Sequence, residues 1–409
     1  TNARVFSVQS VTGSAPVACS AADQDWDIFR AYTSLSNAEE GTENTGIDDG
    51  LEDFDTFSGG RDIAANAEQW TIACYADSDD TDSTTINGWT TSKYNYLKIC
   101  VPHTSDEVGT TQRHTGTWGS GYTRTTYLLI MDDHVWVDGI SVDISSAVNN
   151  ACVGTQSIGN GGIIRLSNSL LRRDDDTHYV YTDNDSGTNA FTVKIWNSIG
   201  YHSGTERVWN VGRTNGPTTT YIYNTTGIGG SYAFRAYGNV YAFNCLAQNS
   251  DNGFDRTFQA VSDHNISDLA GDAPNATFGG GQATVAFVDE SEADFHLLGT
   301  DTGARDQGTD LSSDTTIAFS VDIDNESRPY PSGGSWDIGA DEFSFLRFIW
   351  DDGGTGSDWS TPANWDRNSS YPRRAAHMAV FNNPSDNDCT LDNSVTVRSL
   401  DIEETYDAT

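Results

Sequence analysis

Lysine is almost missing from this chain: 409 residues contain only Lys93, Lys98 and Lys194. Lysine and arginine together number 22 against 59 aspartates and glutamates, a formal net charge of −37. Such a surface repels nucleic acid and anionic membranes, and it disfavours a polyphosphate or polyuronate partner unless cations bridge. No run of 18 apolar residues exists, which excludes a membrane-spanning helix. Prolines are few (9), and the six cysteines form no CxxC pair and no metal-ligand spacing. The eight histidines form no HxH or HExxH motif. Amphipathic helices are missing too, apart from a weak candidate near Asp27 to Glu40, so the class expected is all-β.

Glycine (39), Thr, Ser, Asn and Asp fill the gaps between short apolar runs, and six of those runs share one pattern. They are HVWVDGISV, IIRLSNSLL, VKIWNSIGY, TYIYNTTGI, YAFNCLAQN and VSDHNISDL, with pivots at Asp138, Asn168, Asn197, Asn224, Asn244 and Asn265. Successive pivots lie 30, 29, 27, 20 and 21 residues apart. Apolar residues flank them at alternate positions, such as Leu166 and Leu170 or Ile195 and Ile199. One strand-turn-strand unit per 20–30 residues marks a solenoid, in which each coil contacts only its neighbours. The pivots should stack as a structural ladder whose amides bond from rung to rung, because Asn tolerates left-handed backbone at a tight bend. The expected fold is a right-handed parallel β-helix, since parallel crossovers prefer that hand.

Three units are expected: an N-terminal cap over 1–60, the β-helix over 61–343 with coils from about 64 to 300, and a C-terminal β module over 344–409. Cys74 and Cys100 fall on successive predicted strands. Buried thiols are expected there, with a disulfide as the alternative. The opening TNARVFSVQS has neither a basic start nor an apolar core, so it is not a signal peptide, and the ending LDIEETYDAT suggests a longer precursor.

Past residue 271 the ladder breaks into loopier sequence that ends in a set of recognisable segments. These are Ala304-Arg305-Asp306-Gln307-Gly308, Asp322-Ile323-Asp324-Asn325, Arg328-Pro329, and Asp337-Ile338-Gly339-Ala340 with Glu342. With them, residues 60–343 resemble secreted right-handed parallel β-helix repeat proteins of bacterial and environmental genomes. The resemblance implies the fold and an extracellular or cell-surface place; it implies no catalytic set. FIWDDGGTGSDWSTPANWDRN then resembles the W…WST.ANW opening of autotransporter-like surface proteins, which implies the start of a further β-solenoid.

Chemistry-bearing candidates are sparse. The loop Arg172, Arg173, Asp174, Asp175, Asp176 and His178 lacks partner acids at matching positions on neighbouring coils, which a β-helix glycosidase would need. It reads as a solvated charged turn. Asp77, Asp79, Asp80 and Asp82 alternate in a loop and are the metal candidates, with calcium the only cofactor considered. Asp322, Asp324 and Glu326 form a weaker candidate. The function expected is therefore non-enzymatic: an extracellular structural or surface protein with no catalytic residues. It would assemble head-to-tail with copies of itself into a filament, sheath or coat, or display an adhesive face to surface polysaccharide. The alternatives are a polysaccharide lyase or hydrolase and a virion spike or fibre.

Overall fold

The computed structural model describes residues 30–48, 57–104, 112–145, 150–183, 187–213, 216–330, 334–344, 346–366, 370–373, 377–381, 388–397 and 399–402. Among these, strands dominate and three seven-stranded parallel sheets organise the chain. From Thr123 onward the chain visits the second, third and first sheets in fixed rotation, for example at Ser141–Ile144, Val153–Thr155 and Ile163–Ser167. Each circuit adds one strand to each sheet, an arrangement that fits a β-solenoid. The coils begin at Trp70 and end at Ser267.

Register explains why these short strands are stable in one alignment. Every coil sends its alternate residues inward, and equivalent positions stack on one another. In the first sheet the column Ile72, Ile99, Val137, Leu166, Ile195, Ile222 and Ala242 runs through the interior. In the third sheet Phe234 and Phe254 stack at 4.9 Å. The second sheet makes room for the third: Gly200 and Gly227 sit where a Cβ would strike Trp209. That indole is fully buried and donates from Nε1 to the Thr226 carbonyl at 3.0 Å. Cys74, Cys100, Cys152 and Cys245 are buried thiols, with no disulfide among them.

The corner between the first and second sheets is the ladder, with its register shifted at both ends. Asn168, Asn197, Asn224 and Asn244 all have left-handed φ, between 43° and 54°. Strand pairing aligns Ser167, one residue before Asn168, with Asp138, so the equivalent corner in the earlier coil is Gly139 at φ 80°. At the other end Phe243 pairs with Asp263, which places His264 (φ 54°) at the corner instead of Asn265. Asp138 and Asn265 are thus neighbours of the corner, because Gly and His supply the left-handed residue in those two coils.

The rungs are also discontinuous. Asn168 Nδ2 donates to Asp138 Oδ1 at 2.7 Å, and Asn197 Nδ2 donates to Asn168 Oδ1 at 3.2 Å. Asn244 Nδ2 donates to Asn224 Oδ1 at 3.0 Å. Between these two groups Asn224 Nδ2 turns outward, to the Asp337 and Gly339 carbonyls at 3.0 and 3.1 Å. Asn265 bonds instead to the carbonyls of Ala242 and Pro274.

Those outward bonds hold a return segment. The coils stop at Ser267, short of the expected residue 300, and residues 283–330 and 334–344 run back along the outside. Phe287, Phe295, Ile323 and Ile338 pack on Leu170, Ile199, Leu246 and Ile266, whose side chains form the outer face of the second sheet. At the opposite end the helix Leu35–Glu40 sits on the terminal strand of the third sheet, Thr84–Ile86. Ser34 caps it through Asn37 N–H, Gly41 ends it at φ 71°, and Leu35 and Ala38 join the main core. The C-terminal module is a three-stranded parallel sheet, Leu346–Ile349, His377–Phe381 and Ser399–Ile402. Trp350, Trp359 and Trp365 pack together beside it.

Asn224 therefore carries three duties: a left-handed corner, a rung and a tether. Asn224→Ala should lower stability by about 2–4 kcal/mol, from lost buried hydrogen bonds and a strained corner. Asn224→Gly should cost less than Ala because the backbone strain is gone. Urea unfolding of the two variants beside wild type checks both.

Candidate functional site

The acidic loop after Cys74 does not gather into a cation cage. Asp80 is buried, and its Oδ2 accepts from Arg124 Nη1 at 2.6 Å, Tyr122 Oη at 2.6 Å and Leu35 N–H at 3.1 Å. Asp77 pairs with Arg30 at 2.8 Å, while Asp79 and Asp82 are exposed. No three of these four carboxylates converge. A guanidinium supplies the cation, and it fastens the helix to the first coils. Removing one partner of such a buried pair strands the other charge, so Asp80→Ala should cost about 3–5 kcal/mol by thermal or urea unfolding.

The Arg172 to His178 loop is likewise used up internally. Arg172 pairs with Asp143, and the fully buried Arg173 pairs with Asp175. Asp175 also caps the turn at Thr177 N–H, and Asp176 accepts from Thr205 N–H at 2.9 Å. In the three long sheets, among the described residues, no two carboxylates face each other across a rung.

The return segment builds a denser ionic knot from the motif residues. Arg328 and Glu342, both fully buried, pair at 3.0 Å, and Arg328 also donates to the Gly339 and Ala340 carbonyls. Asp322 accepts from the N–H groups of Asp324, Glu326 and Glu342. Asp337 accepts from those of Asp306 and Phe343. Beside this knot His296, Asp324 and Asp341 bring donor atoms within 4.8 Å of one another, a set that could hold a metal ion. Both His296 nitrogens are engaged by carboxylates, Nδ1 by Asp294 and Nε2 by Asp324 at 2.9 Å. The same atoms therefore suit an imidazolium bridging two aspartates.

Burial alone would lower the His296 pKa, but the charges of Asp324 and Asp341 and the bond to Asp294 raise it well above the ordinary value. Burial pushes Asp341 up to about 6 against the pull of His296. Burial and the Glu342 charge push Asp337 up to about 8. All three shifts have one sign: the folded knot holds protons more tightly than the unfolded chain. Its stability is complete below the ordinary carboxylate range, near 4, and is lost as pH climbs to about 8 and then through the His296 value. Hydrogen exchange at Leu297 and Glu342, corrected for intrinsic rates, should accelerate between pH 5 and pH 9. Asp341→Asn should flatten the lower part of that profile.

What remains is the outer face of the first sheet, and it differs from the rest of the surface. One register column reads Lys98, Trp136, Arg165, Lys194, Tyr221 and Tyr241, one residue per coil and each half-buried. Tyr221 and Tyr241 stack at 4.8 Å, and Trp136 lies 6.0 Å from Trp196 and 6.3 Å from Tyr96. Lys98 Nζ sits 4.6 Å over the Trp136 ring. On one side Leu311, Ile317 and Phe319 of the return segment pack against Trp196, Tyr221 and Phe243 and form a bank along the strip. Sequence reading missed this face because its members are 20–38 residues apart and only the register lines them up. The spacing of the ladder pivots, carried two or three residues back along each strand, contained the signal.

Comparison with known proteins finds no matching family, no matching curated protein and no matching solved structure. The geometry alone carries the functional reading.

Proposed function

We propose that the protein is an extracellular, right-handed parallel β-helix that works as a surface protein, presenting the outer face of its first sheet as an adhesive surface for polysaccharide. The observation that carries this reading is the half-exposed column in which Trp136, Tyr221 and Tyr241 stand in register, the two tyrosines on adjacent coils. Flat rings repeated at the strand spacing of about 4.8 Å suit the apolar faces of successive sugar units in a polymer. The right hand follows from the crossover preference of parallel strands. Binding without cleavage is favoured because paired acids on neighbouring rungs, the requirement for hydrolysis on such a sheet, are missing from the described strands.

A second reading, head-to-tail association of copies, is favoured by the strand Ser399–Ile402 at the edge of the C-terminal sheet. Leu400 and Ile402 there are 54% and 57% exposed, and an apolar edge strand is a template for pairing. The acidic surface would make such association stronger as salt or calcium screens the repulsion.

Affinity electrophoresis against a panel of polysaccharides, with parallel assays for released sugars, tests adhesion. Retention without product release is expected, and Trp136→Ala with Tyr241→Ala should abolish retention while leaving the melting temperature within a few degrees. Release of oligosaccharide by the wild-type protein, or retention unchanged in the double variant, would sink the reading.

A further inference from the structure

The adhesive strip is cationic on a protein that is otherwise strongly acidic. Two of the chain's three lysines and an arginine occupy a single column, at Lys98, Arg165 and Lys194. Arg165 and Lys194 are direct neighbours across a rung. Chance placement of 22 cations among 59 acids would surround each with carboxylates, and elsewhere the structure does that, as at Arg124, Arg172, Arg173 and Arg328. Arg165 is not among them. Among the described residues it makes no ion pair, and its Nη1 is buried without a hydrogen-bond partner. Its only near contact of note is the Tyr96 ring, 5.7 Å away. Lys194 Nζ donates to the Thr316 carbonyl at 2.6 Å, with Asp314 as the nearest acid acting on it. Lys98 reaches Asp138 only at 3.7 Å, and that carboxylate is already held by Arg113 at 3.0 Å.

Leaving a guanidinium nitrogen buried and unbonded is costly, and placing a second cation beside it adds repulsion. An anion that enters beside Arg165 and Lys194 offsets the repulsion between them. We propose that this column binds an acidic polysaccharide, a chain bearing carboxylate or sulfate groups, with an anionic group at Arg165 and Lys194 and sugar faces on Trp136, Tyr221 and Tyr241. The inference rests on the adhesive reading above and adds the ligand's chemical class. It also revises the expectation from net charge, which disfavours polyuronates: the charge of the whole surface does not describe this face. The column repeats at about 4.8 Å, roughly one sugar unit, so the adjacent cations Arg165 and Lys194 lie one strand spacing from the rings of Trp136 and Tyr221 on either side. A guanidinium flanked by aromatic rings suits a planar carboxylate or a sulfate through paired N–H donors. A nucleic acid strand could use the same rings and cations, but its dense charge meets the acidic remainder of the surface.

Binding of the full chain to polygalacturonate, chondroitin sulfate, neutral dextran and xyloglucan, and oligo-dT is measured by biolayer interferometry at low and high salt. Either or both acidic glycans should bind at least about tenfold more tightly than the neutral chains, and the preference should weaken as salt rises. Lys98→Gln, Arg165→Gln and Lys194→Gln combined should lose about tenfold or more for the acidic glycans. Arg235→Gln, on the third sheet, should bind as wild type, and Arg165→Lys should bind between wild type and Arg165→Gln, since it keeps the charge but loses the paired donors. Melting curves confirm that each variant folds. The two acidic arms separate carboxylate from sulfate preference. Equal affinity for neutral chains, or an unchanged triple variant, overturns the acidic-ligand inference while leaving adhesion standing. Tighter binding of oligo-dT overturns it in favour of nucleic acid, and retention of no polymer overturns both readings.

Discussion

The left-handed corner between the first and second sheets is the constraint on which the other features depend. A chain that turns sharply once per coil needs a residue there that accepts positive φ, and Asn does so with a side chain that can also bond. Four consecutive coils use Asn, with Gly139 before them and His264 after. The corner fixes the register of both flanking strands. Shifting it by one residue would turn the inward column of Ile, Val and Leu out to solvent and bring Lys98, Arg165 and Lys194 into the core. The hydrophobic interior and the cationic strip are two sides of one alignment.

The corner also determines where the return segment can lie. Gly339 approaches it with φ 104°, and its N–H donates to the Asn244 carbonyl at 2.8 Å. A Cβ there would come within 3.0 Å of Thr226 Oγ1. The Asp-Ile-Gly-Ala stretch is therefore a docking element: Ile338 and Ala340 fill the second sheet's outer face while Gly339 lets the backbone reach the ladder. Arg328 and Glu342 lock the loop that presents it. The stretch thus has a mechanical role in this structure, holding the return segment on the coils.

How much could be read in advance follows from range. Strand periodicity, four of the six corner residues and the helix near Leu35 are local and legible. Asp138 and Asn265 were misplaced by one residue because Asn or Asp was taken as the corner, whereas Gly139 and His264 occupy it. The coils end at Ser267, earlier than expected, because Phe287, Phe295, Ile323 and Ile338 of the following segment pack on the outside of the second sheet instead of adding rungs. The acidic loop looked like a cation site because a sequence shows Asp80 but not Arg124, 44 residues on, reaching back to it. The aromatic and cationic strip is hard to see for a similar reason: its order runs across rungs and emerges only when the strands are aligned on their corners.

Under the proposed acidic-ligand reading, net charge is a poor guide for a further physical reason. The −37 total describes the field far from the surface, where contributions sum and salt screens them within about 8–10 Å. A ligand lying on the first sheet meets the local field, set by side chains within one or two strand spacings. Acidity over the rest of the surface then has its own consequence. Under that proposal it leaves one face where a polyanion can settle and repels it elsewhere, so attraction is confined to the strip and orientation comes with it. A neutral protein with the same three cations would lack that contrast. Here the scarcity of lysine is what gives the placement of Lys98 and Lys194 its meaning.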